Sequence, residues 1–202
     1  MPLTAKKSAK GELRREAILT EARRMLLGEG YQNLSLRRIA AALNISIGNL
    51  QYYFSSKDDL VETLLTREID ASLDIMHGVN WDPTNVVSST KTVVRTLLHH
   101  YAGEAGRFYT IAESLALHDP RFAQLKAGGY AHVFREVESL VGVLVPSLDL
   151  DRRQSLTQVL VALIDGASLQ VQFGEIEVPL DAVERLAEDV ATALLHLTEN
   201  WS

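Results

Sequence analysis

Apolar residues recur at three- and four-residue spacings along nearly the whole chain, and that period selects helices over strands. Leu13, Ala17, Ala22 and Leu26 share one face over residues 12–27, with Gly28 and Gly30 as stops. Ser35 is placed to cap a second helix through Leu43, Ser46 a third through Phe54, and Ser55 or Ser56 a longer fourth that reaches Met76. The Gly, Pro and Asn content of HGVNWDPTN predicts a loop. Fifth and sixth stripes cover residues 86–101 and 108–115, and Asp119-Pro120 opens a seventh helix that Pro146 ends. Residues 152–173 are apolar on more than one face, and Val183, Leu186, Val190, Leu194 and Leu197 form the stripe of a last helix. With no convincing strand, hairpin or internal repeat, the expected fold is all-α with about nine helices.

The 202 residues, 47% of them apolar, suffice for a sizeable core. Cysteine is absent, which excludes disulfides and thiolate metal sites. No apolar run approaches the roughly 20 residues of a spanning helix, and the N-terminus lacks a signal peptide's apolar middle, so a cytoplasmic location without membrane attachment is expected. The net charge of −6 hides a division. Residues 1–57 hold ten Lys/Arg against four Asp/Glu, +6, whereas residues 58–202 hold ten against twenty-two, −12. A basic front end on an acidic body is the asymmetry of a chain that meets a polyanion with one part only. Two domains are expected, 1–57 and 58–202.

Residues 35–54 have the proportions of a helix-turn-helix, in which a short helix and a turn present a second helix to the major groove. Ala40 is small where the two helices approach. Asn44 sits where the turn needs a left-handed backbone, which asparagine tolerates better than other non-glycine residues. Ile45 and Leu50 point into the core, leaving Ile47, Gly48, Asn49, Gln51 and Tyr52 on the outer face.

The run SLRRIAAALNISIGNLQYYFSSKDDL resembles the signature of the TetR-type (tetracycline-repressor-like) transcriptional regulators, with matching positions at Ile39, Ala40, Ile45, Ser46, Gly48, Leu50, Tyr53, Phe54, Ser56 and Lys57. Asn44 departs from the usual turn glycine, and Gln51 from the usual tyrosine. In that setting Phe54 is the expected anchor in the core, and Tyr53 brings its hydroxyl to a phosphate. Lys57 and Ser46 are further phosphate contacts. Gly48 allows close approach, Asn49 and Gln51 can meet adenine edges, and Ile47 a thymine methyl. By the resemblance Arg37 reaches a base, while Arg38, Lys6, Lys7 and Lys10 supply counterion-release affinity.

The resemblance further implies a ligand-receiving core and a homodimer interface, here placed on residues 152–173 and 181–199, with Gly166 of LIDGASLQ allowing close helix approach. Candidate ligand contacts are Trp81, His99, His100, Tyr101, Phe108, Tyr109, Glu113, His118, Tyr130, Phe134 and Gln170. No catalytic residue, cofactor or metal is expected: there is no nucleophile elbow, phosphate loop or Glu-x-x-His pair, and Asp74-x-x-His77 is the only Asp-x-x-His spacing. The expected function is a dimeric repressor that binds a palindromic duplex operator and is released by a small-molecule effector. The competing reading is a helical-bundle ligand-binding protein or enzyme that does not bind DNA.

Overall fold

The structure, a computed structural model, describes residues 9–81, 84–172 and 179–201. Lys6, Lys7 and residue 173 lie outside them. Among the described residues the chain forms nine helices and no strand, and none of the helices is long and apolar enough to cross a membrane. It divides into two compact units, Met1–Thr66 and Arg67–Ser202.

The first unit contains α1 (Ala9–Asn33), α2 (Leu36–Ala42), α3 (Ile47–Tyr53) and the start of α4 (Lys57–His77). Helix α1 begins earlier than its apolar stripe suggests, and Leu13 is 72% exposed rather than in the core. The buried face belongs to Ile18, Leu19, Ala22, Met25 and Leu26. Gly28 does not stop the helix; the backbone breaks at Gly30, whose φ of 79° and ψ of 166° lie outside helical space. Both predicted caps form, with Ser35 accepting from the Arg38 N–H and Ser46 from the Asn49 N–H. Asn44 adopts φ 51°, the left-handed backbone that the turn demands, and the Ile45 N–H returns to the Ala40 carbonyl at 3.0 Å. Ser56, not Ser55, caps α4 by accepting the Asp59 N–H at 3.0 Å. Leu60, Val61, Leu64 and Leu65 on its first turns are buried.

The second unit holds the rest of α4 with α5 (Val86–Ala102), α6 (Glu104–His118), α7 (Pro120–Leu144), α8 (Leu150–Leu169) and α9 (Leu180–Asn200). Asp119 caps α7 by accepting the Arg121 N–H at 2.8 Å, with Pro120 in the first turn where a missing N–H costs nothing. That helix stops at Leu144, because Pro146 pushes Val145 out of helical space. The main core joins α5, α8 and α9 through Val94, Leu98, Ala167, Val183, Ala187, Ala191 and Leu194. A smaller one joins α7 to α8 through Val141, Leu148 and Leu156, with Leu197 and Trp201 against it.

Candidate functional site

In the first unit, Leu50 and Phe54 are the buried side chains of the α3 segment, at 0% and 3% exposure. The Phe54 ring also receives the Arg15 guanidinium 5.2 Å from its centroid. Burying positions 50 and 54 turns the opposite face outward: Ile47, Gly48, Asn49, Gln51 and Tyr52 are all exposed. Tyr53, half-buried, meets the Tyr52 ring edge-on at 5.2 Å between centroids. The reading face therefore lies on a short helix fixed by a cap at one end and an aromatic plug at the other.

The cations around this helix differ in how they are held. Arg37 is exposed. Arg38 is tied to the end of α1, pairing with Glu29 at 2.6 Å and donating to the Asn33 carbonyl at 2.9 Å. Lys57 opens α4 and donates to the Tyr31 carbonyl at 3.2 Å, with its ammonium 3.8 Å from the centroid of the Tyr31 ring. The Tyr31 hydroxyl in turn donates to the Asp58 carboxylate. Lys57 is legible in the sequence from its place at a helix start, whereas Tyr31, 26 residues away, carries no local signal of the contact.

The second unit gathers a different set of groups. Tyr101 donates to the Ser72 hydroxyl at 3.3 Å, Tyr109 lies 3.0 Å from the same hydroxyl and donates to the Glu68 carbonyl at 3.0 Å. The Tyr101 and Tyr109 rings meet edge-on at 5.2 Å. Tyr130 donates to the Asp165 carboxylate at 2.9 Å, its ring lies 6.1 Å from that of Phe134, and Lys126 pairs with Glu113. Burial pushes the hydroxyls of Tyr101, Tyr109 and Tyr130 above the ordinary phenol value, and the Asp165 charge adds to the rise at Tyr101 and Tyr130. Tyr101 and Tyr109 thus meet at Ser72, and Tyr130 meets Asp165, whose charge also acts on Tyr101.

Burial also raises Asp165 above its ordinary value, reinforced by Glu113 and opposed by the Tyr130 hydrogen bond and Lys126. Among the described residues no cation forms an ion pair with it.

Of the candidate ligand contacts, Tyr101, Tyr109, Glu113, Tyr130 and Phe134 come together, with His100 edge-on to Tyr101 at 5.5 Å. Phe108 is wholly buried core. Four others are placed elsewhere. His99 faces α9, where its Nε2 lies 2.8 Å from Glu184, which also pairs with Arg95. Trp81 donates to the Met76 carbonyl at 3.0 Å, pinning the loop after α4. His118 and Gln170 are exposed at the ends of α6 and α8. Ser72 and Asp165 were not singled out from sequence, since a lone serine or aspartate on a helix carries no signal of what it faces. Among the described residues no three His, Asp or Glu side chains are grouped to hold a metal ion; His77 instead faces Glu136 at 3.1 Å, with His132 at 3.6 Å from the same carboxylate.

Solved structures with this fold are numerous. Salmonella enterica GusR superposes with a TM-score of 0.77 at 16% identity, over 96% of this chain and 99% of that one. A TetR transcription regulator from Haloarcula marismortui gives 0.72 at 21%, over 90% and 98%. A putative transcriptional regulator from Saccharomonospora viridis, in complex with choline, gives 0.65 at 20%, over 88% and 95%. No curated protein matches the chain in sequence. Residues 18–64 match the family described as bacterial regulatory proteins, tetR family, and residues 112–196 match the C-terminal region of the BetI-type transcriptional repressors. The two matches together take in more than half of the sequence, and with the helix-turn-helix geometry they place the chain in the TetR family of DNA-binding transcriptional regulators.

Proposed function

We propose that this regulator is a repressor: a homodimer that binds a near-palindromic operator and is released by a small-molecule effector. Residues 1–57 are its DNA-binding part, and residues 58–202 receive the effector and the second subunit. The observation that carries the reading is the exposed face of α3, held outward by buried Leu50 and Phe54. In this reading Asn49, Gln51 and Ile47 meet base edges, with Arg37 reaching a further base. Tyr53, Ser46 and Lys57 grip phosphates, and Arg38 adds charge from its place beside Glu29. Gel-shift titration of a selected duplex tests the grip: Tyr53→Ala and Lys57→Ala should each weaken binding by about tenfold or more, at about 1.5–3 kcal/mol per charge-assisted contact. Unchanged affinity for both variants removes the grip.

Gly48 separates a structural from a functional role. A Cβ added there meets no heavy atom within 4 Å, so Gly48→Ala should leave the fold intact or stabilise α3 by up to about 1 kcal/mol. The same methyl stands on the DNA-facing side. Thermal unfolding should therefore shift up or not at all, while duplex affinity falls.

The dimer reading is supported by α8, whose Ser155, Ala162, Gly166 and Leu169 are exposed, and a Cβ at Gly166 would meet nothing within 4 Å. The small Ser155, Ala162 and Gly166 leave room for a second helix, exposed Leu169 offers it apolar surface, and α9 adjoins α8 through the main core. Two heads related by a two-fold axis would engage half-sites about one helical turn apart or a multiple of it.

For the effector, the tyrosine cluster around Asp165 favours a small organic cation, the class to which the choline held by the Saccharomonospora viridis protein belongs. Ring faces attract a cation, and Asp165 offers a half-buried negative charge without an ionic partner among the described residues. Ser72 of this cluster lies on α4, the helix that Lys57 begins, so a ligand with differential affinity for two placements of α4 would release DNA. Choline should raise the melting temperature of the wild type and not of Asp165→Asn; no shift in either protein sinks the cation assignment and leaves the DNA assignment standing.

Proton linkage gives Asp165 a second readout. Its folded pKa lies above the unfolded value, so its contribution to stability is full below the unfolded pKa and is lost as pH rises through the folded one. Acidification from neutral pH toward the ordinary aspartate value of about 3.9 should therefore stabilise the wild type relative to Asp165→Asn, measured as the difference in melting temperature.

A further inference from the structure

We propose that Tyr31 is the residue that positions Lys57 for the DNA backbone, an inference that rests on the reading of Lys57 as a phosphate contact. The break of α1 at Gly30 falls directly before Tyr31. Lys57 stands 26 residues farther on, and Tyr31 makes two contacts to its ammonium: the carbonyl at 3.2 Å and the ring face at 3.8 Å. A lysine side chain loses rotamer freedom when it fixes its charge on a phosphate. Here that loss is incurred on folding, before DNA arrives. An ammonium has three N–H donors, and the Tyr31 carbonyl takes one, so donors remain for a phosphate oxygen.

The hydroxyl of the same tyrosine acts on the neighbouring charge. Asp58 adjoins Lys57 in the first turn of α4, where a carboxylate favours the helix dipole but competes with a phosphate for the ammonium. Tyr31 donates its hydroxyl to that carboxylate and holds it. One residue thus seats the cation through its carbonyl and ring and restrains the adjacent anion through its hydroxyl. A tyrosine serving only as core would not need all three contacts.

The experiment is a salt titration of duplex binding for the full-length wild type, Lys57→Ala, Tyr31→Leu, Tyr31→Phe and the double variant Lys57→Ala/Tyr31→Leu, with melting curves for each. Lys57→Ala should weaken binding and lower the slope of log affinity against log salt by about one phosphate contact. Tyr31→Leu should weaken binding about threefold to tenfold, with the slope moving toward that of Lys57→Ala. Tyr31→Phe keeps ring and carbonyl but releases Asp58, so it should retain the wild-type slope with a loss of affinity smaller than that of Tyr31→Leu. In the Lys57→Ala background, Tyr31→Leu should change nothing further. An equal loss from Tyr31→Leu in both backgrounds, or no loss in the wild-type background, overturns the positioning role while leaving Lys57 as a contact. If Lys57→Ala itself leaves affinity and slope unchanged, the underlying reading falls and this inference with it. Tyr31→Met, which keeps apolar bulk without a ring, replaces the leucine variant if that variant melts below the assay temperature, with the same expectations.

Discussion

Phe54→Ala should cost about 3–5 kcal/mol and abolish duplex binding. The ring is 3% exposed and closes the C-terminal end of α3, and its own N–H returns to the Leu50 carbonyl at 3.1 Å. Alanine leaves a cavity beneath the reading helix and removes the face over which Arg15 lies. A loss of that size is a large part of the total stability of an ordinary domain, about 5–15 kcal/mol. Binding should therefore be lost through the head rather than through any contact. Tyr53→Ala is the informative contrast: one position earlier and half-buried, it should melt close to the wild type and still bind weakly. Thermal unfolding beside a gel shift separates plug from grip. Equal melting temperatures for wild type and Phe54→Ala would show that the ring is not the anchor.

Gly106→Ala should destabilise the second unit by about 3 kcal/mol or more, the upper end for an overpacked site. A Cβ there would lie 1.9 Å from the Tyr101 carbonyl oxygen and 2.6 Å from the Gln172 Cγ. The glutamine side chain can move aside, but the carbonyl belongs to the last turn of α5 and cannot move without the helix. Since Tyr101 donates to Ser72 and meets the Tyr109 ring, the same displacement should disturb the tyrosine cluster. A wild-type melting temperature for this variant would refute the tight α5–α6 corner. Gly48→Ala is the same chemical change on an exposed helix face with the opposite expected effect on stability, which makes the pair a test of packing rather than of helix propensity.

What the sequence made legible is what is encoded locally. Ser35 and Ser46 each cap a helix through an N–H three residues away, Asn44 declares its left-handed backbone by residue type, and Asp119-Pro120 starts a helix by its own covalent geometry. Phe54 and the exposed face of α3 follow from the helical period once those stops are in place. Contacts between distant segments were not legible. The grip of Tyr31 on Lys57 spans 26 residues, the hydrogen bond of Tyr130 to Asp165 spans 35, and His99 meets Glu184 across 85. Adjacent His99 and His100 look alike in sequence, yet α5 turns the first toward α9 and the second toward the Tyr101 ring. Leu13 shows the limit of periodicity itself: it has the spacing of a core residue but is exposed.

The central claim is that α3 enters duplex DNA and reads it with Asn49 and Gln51. Selection of bound duplexes from a random library by the wild type, Asn49→Ala and Gln51→Ala tests it most directly. The wild type should select a near-palindrome, with each variant relaxing its preference at one symmetric pair of positions. No enriched sequence, or an identical sequence from all three proteins, would contradict it.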